Sequence, residues 1–215
     1  MNRIAVFDLD GTLVDSAADI HVSLDRSMAG LGLTGFTRAE VIAMIGDGVR
    51  ALMTKALTAR GRPFDEAVLA DFVEDYTAQA TVLTRPFEGI PAVLDTLQAQ
   101  GWRMAVCTNK PEAAARLLLE DLGLAHRFAA LGGGDSFPVR KPDPAHLLAT
   151  LAAAGVGPDR AVMIGDHRND VQAAARAGVP CIFAGWGYGP LAMADGAPVA
   201  ATPLDLPGMM DALLA

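Results

Sequence analysis

The chain has 215 residues, which at roughly 150 residues per domain means one large domain or one domain carrying a smaller insert. Hydrophobic residues make up 52% and charged residues 20%, a balance that excludes a disordered chain. Lys plus Arg is 17 against Asp plus Glu 25, a net charge of −8, and this argues against a nucleic-acid binder, because affinity for a phosphate backbone needs a basic face. A small anion is still a possible ligand, since a few local positive groups can hold it inside an acidic protein.

In chain order, Met1-Asn2-Arg3-Ile4 reaches charged residues by Asp8 and so carries no secretory apolar region. Arg3 to Asp8 is a short apolar run with the length and branching of a buried strand. From Ser16 to about Thr84 no convincing strand occurs. Ile20, Leu24, Met28 and Leu31 recur at helical spacing, and Thr37 with Glu40 forms a capping-box pattern before Val41, Ile42 and Ile45. Val49, Leu52, Met53 and Leu57 make a third stripe. Asp65 opens a fourth, with Leu69, Phe72, Val73 and Tyr76.

Beyond Pro86 strands and helices alternate. The helices are Pro91 to Gln100, Pro111 to Leu122, Pro144 to Ala154 and Asp170 to Ala177, most opened by Pro and each followed closely by Gly. The strands between them are Trp102 to Thr108, Phe128 to Leu131, Arg160 to Asp166 and Val179 to Phe183. The pattern predicts an α/β fold: a Rossmann-like parallel sheet core with helices on both faces, of strand order 3-2-1-4-5, plus a small all-helical domain. Residues 1–15 and 85–215 would form the core and 16–84 a helical cap, hinged near Asp15-Ser16 and Arg85-Pro86. Cys107 and Cys181 would lie three strands apart and could not bridge. The uncharged stretch Ala177 to Ala194 is broken by Gly178, Pro180 and Gly185, so no membrane span is expected. The reading is a soluble, cytoplasmic protein.

Four polar clusters fall at the ends of these elements. In Asp8-Leu9-Asp10-Gly11-Thr12, two carboxylates at i and i+2 project to one side after a buried strand. They repel unless a cation lies between them or one stays protonated, which suits a Mg²⁺ site, a nucleophile beside a general acid, or both. Thr108-Asn109-Lys110-Pro111 offers a hydroxyl and an amide at a helix start, an anion cradle or a simple N-cap. Arg140-Lys141-Pro142-Asp143-Pro144 could fix one lysine in place, where a compact ammonium suits a phosphate oxygen. Gly165-Asp166-His167-Arg168-Asn169-Asp170 sets two carboxylates four apart at a strand-to-helix turn. Each cluster has an ordinary explanation as a turn, cap or surface loop. Their joint order describes a divalent-metal phosphate site and phosphoryl transfer through an aspartyl-phosphate.

These motifs, Asp8-Leu-Asp-Gly-Thr12, Thr108, Lys141-Pro and Gly165-Asp166 with Asp170, resemble those of the haloacid dehalogenase-like hydrolase superfamily, and the insert resembles its type 1 cap. Asp15-Ser16, Ile45-Gly-Asp-Gly48 and Gly185-Trp-Gly-Tyr-Gly189 are most similar to the phosphoglycolate phosphatase branch. The resemblance implies Asp8 as nucleophile and Mg²⁺ ligand. Asp10 would be the general acid/base, with its backbone carbonyl on the metal. Thr108 and Asn109 would bind the phosphoryl group, and Lys141 would neutralise it. Asp166 and Asp170 would hold Mg²⁺. His167 stands where the family leads one to expect a small residue such as Ser or Thr.

The implied activity is hydrolysis of a small organic phosphate ester, 2-phosphoglycolate first, by a monomer or homodimer with no nucleic-acid or membrane partner. Arg50, in the first turn of a helix where the dipole disfavours a cation, is the expected contact for the substrate's carboxylate. The motifs alone leave open a sugar phosphomutase, a pyrophosphatase or nucleotide phosphatase. From another class come an inactive scaffold on this fold and a phosphate-responsive receiver module. The early position of Asp8 and the long insert argue against the receiver.

Overall fold

The computed structural model describes residues 3–79 and 81–214. The chain opens with β1 (Ile4–Phe7), whose residues are all fully buried, and turns into the short β2 (Val14–Asp15). Four helices follow: α1 (Ala17–Gly30), α2 (Arg38–Ile42), α3 (Val49–Ala59) and α4 (Glu66–Gln79). The chain then passes through β3 (Arg85–Pro86) to α5 (Ile90–Ala99), β4 (Arg103–Cys107), α6 (Glu112–Asp121), β5 (Ala130–Gly132) and α7 (Pro144–Ala153). It ends with β6 (Ala161–Gly165), α8 (Arg168–Ala177), β7 (Cys181–Ala184), β8 (Val199–Ala200) and α9 (Leu206–Leu213).

Six parallel strands form one sheet in the order β5-β4-β1-β6-β7-β8, so the expected 3-2-1-4-5 order holds and β8 extends it. Side chains alternate across β1, sending Ala5 and Phe7 into one apolar cluster and Ile4 and Val6 into another. Leu94 and Leu97 of α5, Leu118 of α6 and Met210 of α9 cover the first face; Leu147 and Leu151 of α7 and Ala174 of α8 cover the second. A sheet buried on both faces is why these strands read as continuous apolar runs.

The helical stretch between β2 and β3 is held by the stripes read from its sequence. Ile20, Leu24 and Met28 of α1 meet Leu69, Phe72 and Tyr76 of α4 in the same apolar cluster, which continues into the first face of the sheet. Full burial of each large apolar side chain contributes about 1.5–3 kcal/mol. The Thr37–Glu40 capping box forms as expected, with Thr37 N–H donating to Glu40 Oε2 at 2.7 Å. It opens a helix of five residues, so Ile45 lies outside α2, in the turn that carries Gly46. β2 and β3 pair antiparallel, Asp15 opposite Arg85, so the way into the helical stretch is tied to the way out. Asp19 strengthens the tie by accepting the backbone N–H groups of Leu83 and Thr84, at 3.0 and 2.8 Å. No helix among the described residues is long and apolar enough to cross a membrane.

Candidate active site

Parallel strands place their carboxyl ends at one edge, and the four clusters meet there. After β1, Leu9 is fully buried while the flanking Asp8 and Asp10 line one cavity. Gly11 then takes φ +86°, and a Cβ on it would lie 2.3 Å from Asp166 Oδ2, so only glycine lets the two loops approach. Asp8, Asp166 and Asp170 are all buried, and one oxygen from each lies within 4.8 Å of the others.

The positive charge set among these carboxylates is Lys141, with Nζ 3.0 Å from Asp8 Oδ1 and 2.6 Å from Asp170 Oδ1. It also donates to the carbonyl of Cys107. Asp8 Oδ1 is within ion-pair distance of Lys141 but has no partner in hydrogen-bond geometry. Asp166 accepts Thr12 Oγ1 at 2.8 Å and the Tyr188 N–H at 2.8 Å. Burial, then the charges of Asp8 and Asp170, push its pKa up to about 7. Burial pushes Asp170 up as well, against the pull of Lys141. Three buried carboxylates and one ammonium leave the cluster short of positive charge. An all-oxygen donor set of this kind fits a hard divalent cation.

The remaining polar groups face a cavity between the strand ends and the helical stretch. Its walls are Asp8, Asp10, Thr108, Asn109 and Lys110 on one side, and Ile20, Ile45, Gly46, Gly48, Val49, Leu52, Phe72 and Tyr76 on the other. Asp10 accepts Ser16 Oγ at 2.6 Å and meets Lys110 Nζ at 3.1 and 3.2 Å. Lys110 also donates to the Tyr76 hydroxyl and lies over that ring. Thr108 is buried beside Asp8, in the loop after β4, with Oγ1 accepting the Lys110 N–H at 3.2 Å.

Two of the expected site residues spend their polar groups on other partners. Arg50 does not reach the cavity: it pairs with both oxygens of Glu66, at 2.5 and 2.9 Å, and lies over Phe64 with half its side chain exposed. A partner one helix further along, invisible in the local sequence, answers the cation that the dipole disfavours. Asn109 spends its amide on the carbonyls of Gly46 and Lys141, both at 3.0 Å, leaving only an acceptor, Oδ1, unpaired. Its amide group thus bridges two loops at the cavity wall.

His167 is the N-cap of α8, accepting the Asn169 N–H at 3.2 Å, and Asp170 closes the capping box by accepting the His167 N–H at 3.0 Å. Its ring abuts Gly46, where a Cβ would come within 2.5 Å of His167 Cδ2. Asn169 donates to the Gly46 carbonyl at 3.2 Å and to Asp47 at 2.9 Å. The sequence reading placed Lys110, Tyr76, Ser16, Thr12 and Tyr188 within its motifs, stripes and hinge but gave none of them its own part in the site. The Tyr188 hydroxyl donates to Asp15 and accepts the N–H groups of Ser16 and Ala17 at the junction of β2 and α1.

A parallel sheet with a buried carboxylate trio and a lysine at its carboxyl edge describes a phosphoryl-handling hydrolase of the haloacid dehalogenase type. Residues 5–184 match the family described as haloacid dehalogenase-like hydrolase, and the chain belongs to that family. It is an enzyme of the phosphatase kind, phosphoglycolate phosphatase-like in sequence. A phosphoglycolate phosphatase from Agrobacterium fabrum is 41% identical over 91% of this chain and 85% of its own. One from Aquifex aeolicus is 39% identical over 86% of each. Among solved structures, a predicted phosphoglycolate phosphatase from Haemophilus somnus superposes with a TM-score of 0.88 at 27% identity, covering 97% of both chains.

Proposed function

We propose that the protein is a Mg²⁺-dependent phosphomonoesterase that hydrolyses 2-phosphoglycolate to glycolate and phosphate through an aspartyl-phosphate on Asp8. The observation that carries this reading is the charge deficit at the strand ends: three carboxylates within 4.8 Å, one ammonium, and an Asp8 oxygen without a hydrogen-bond partner. When bound there, held by Asp8, Asp166, Asp170 and the Asp10 carbonyl, the cation supplies positive charge for the phosphoryl oxygens.

Asp8 attacks phosphorus and takes the phosphoryl group. Asp10, fixed by Ser16, gives a proton to the departing oxygen, then takes one from the water that releases phosphate. Lys141 and the Thr108 hydroxyl meet the equatorial oxygens. Residues 16–84 act as a cap, turning on the paired β2 and β3 to admit substrate and exclude bulk water.

The test is a hydrolysis panel of 2-phosphoglycolate, glucose 1-phosphate, nucleotides and pyrophosphate with Mg²⁺, repeated after chelation. The highest kcat/KM is expected for 2-phosphoglycolate, with activity lost on chelation and restored by Mg²⁺. Faster turnover of a sugar phosphate or pyrophosphate overturns the substrate, and activity surviving exhaustive chelation overturns the metal.

A further inference from the structure

We propose that Lys110 reads the carboxylate of the substrate and so restricts the site to phosphomonoesters of short hydroxy acids; this rests on the phosphatase reading above. Lys110 is the only cation among the described residues lining the cavity, and its side chain is 1% exposed. The wall opposite is mostly apolar: Ile45, Leu52 and Phe72 carry no polar group, and the Tyr76 hydroxyl is taken up by Lys110 itself. A buried ammonium is costly unless paired, and this one has a single carboxylate partner.

Holding Asp10 does not explain that cost, because Ser16 Oγ already fixes Asp10 at 2.6 Å. The position of Lys110 explains it better. Asp10 stands where the leaving oxygen needs its proton, and Lys110 Nζ is 3.1 Å from Asp10. In 2-phosphoglycolate one methylene separates the leaving oxygen from the carboxylate. A substrate whose leaving oxygen meets Asp10 therefore brings its carboxylate to Lys110, with the methylene against the apolar wall. A longer acid would overshoot, and a neutral ester would leave the ammonium with Asp10 as its sole anion.

The test compares 2-phosphoglycolate with 2-hydroxyethyl phosphate, in which a neutral CH₂OH replaces the carboxylate, on the Mg²⁺-loaded wild type, Lys110→Met and Lys110→Arg. Any effect on Asp10 acts on both esters, so the ratio of their kcat/KM values isolates the carboxylate. Lys110→Met is expected to lower that ratio about 10- to 100-fold, mainly through KM for 2-phosphoglycolate, as loss of a charged hydrogen bond does. Lys110→Arg is expected to keep most of the preference. An equal loss on both esters overturns the inference and leaves Lys110 as a positioning residue for Asp10. A wild type with no preference between the two esters, while still hydrolysing them, overturns the substrate reading and this inference with it. If Lys110→Met does not fold, the same ratio is read on Lys110→Gln, which can still donate to Asp10.

Discussion

Lys141 and Lys110 are equally buried, each with a side chain 1% exposed, but their surroundings differ. Lys141 sits in the floor at the strand ends, between the Asp8 carboxylate after β1, the Asp170 carboxylate in the first turn of α8 and the Cys107 carbonyl of β4. Lys110 sits in the wall between sheet and helical stretch, with one carboxylate below and an aromatic ring of α4 above. The floor is built from the strand ends, their loops and the first turn of α8, and on the proposed function it would handle the group common to all phosphate esters. The wall needs both the sheet and the helical stretch, and on that function it would handle what varies between esters. Chemistry and selectivity would thereby be placed on two different surfaces.

The largest effect that would break this contrast is in the floor. Asp8→Asn should lower kcat by more than about 10³-fold for every ester, with the circular dichroism of the folded protein unchanged. A variant that retained turnover on any ester would remove Asp8 from the chemistry.

The seam between the two surfaces is tested next. Gly46 has φ +115°, and a side chain there would strike His167. Gly46→Ala should therefore lower kcat/KM about 10- to 100-fold by misplacing the wall, while Lys141 and the carboxylate trio stay in register. An unchanged kcat/KM would show that the wall does not depend on this contact.

A smaller effect probes how firmly the floor is built. His146 donates from Nε2 to the Gly133 carbonyl at 3.0 Å and accepts the Lys141 N–H on Nδ1 at 3.2 Å. Burial, then the nearby Lys141 charge, push its pKa down from 6.5 to about 4. The unfolded chain takes up a proton near pH 6.5 that the folded ring refuses until about pH 4. Its contribution is thus present above pH 6.5 and lost as pH falls toward 4. Denaturant titrations at pH 7.5 and 5 should show the wild type losing on the order of 2 kcal/mol more than His146→Gln. Equal losses would remove His146 from the acid sensitivity of the fold.

The smallest effect belongs outside both surfaces. Arg50→Ala removes an exposed pair with Glu66 and should leave kcat and KM for 2-phosphoglycolate unchanged. A selective rise in KM would reopen a carboxylate contact that the geometry does not show.

The floor was legible in the sequence and the wall was not, for a physical reason. β1, β4, β6 and β7 are apolar runs because both sheet faces are covered, and the motifs follow their ends directly, so local pattern located Asp8, Thr108, Asp166 and Asp170. Lys110 follows Asn109 at a helix start, where a lysine ordinarily reaches into solvent; its burial depends on Tyr76, 34 residues away and in another helix. The pairing of Arg50 was hidden for the mirror reason, since Glu66 comes from α4. Two-residue strands such as β2, β3 and β8 carry too little pattern to be read from sequence, and α9, with Pro and Gly in its first turn, carries only a weak helix signal.

The sheet register has a consequence for how the chain is made. Ile4 of β1 pairs with Arg103 on one side and Ala161 on the other. During synthesis the first strand leaves the ribosome with both neighbours still unmade. The helices between β2 and β3 emerge complete before either neighbour exists, and the packing of α1 on α4 closes a shorter loop than the pairing of Ile4 with Arg103. The pairing of β2 with β3 holds the two ends of the segment together, which would keep β1 close to the place where β4 arrives. An apolar strand that would otherwise wait unpaired, open to association with other chains, would spend that interval beside folded helices.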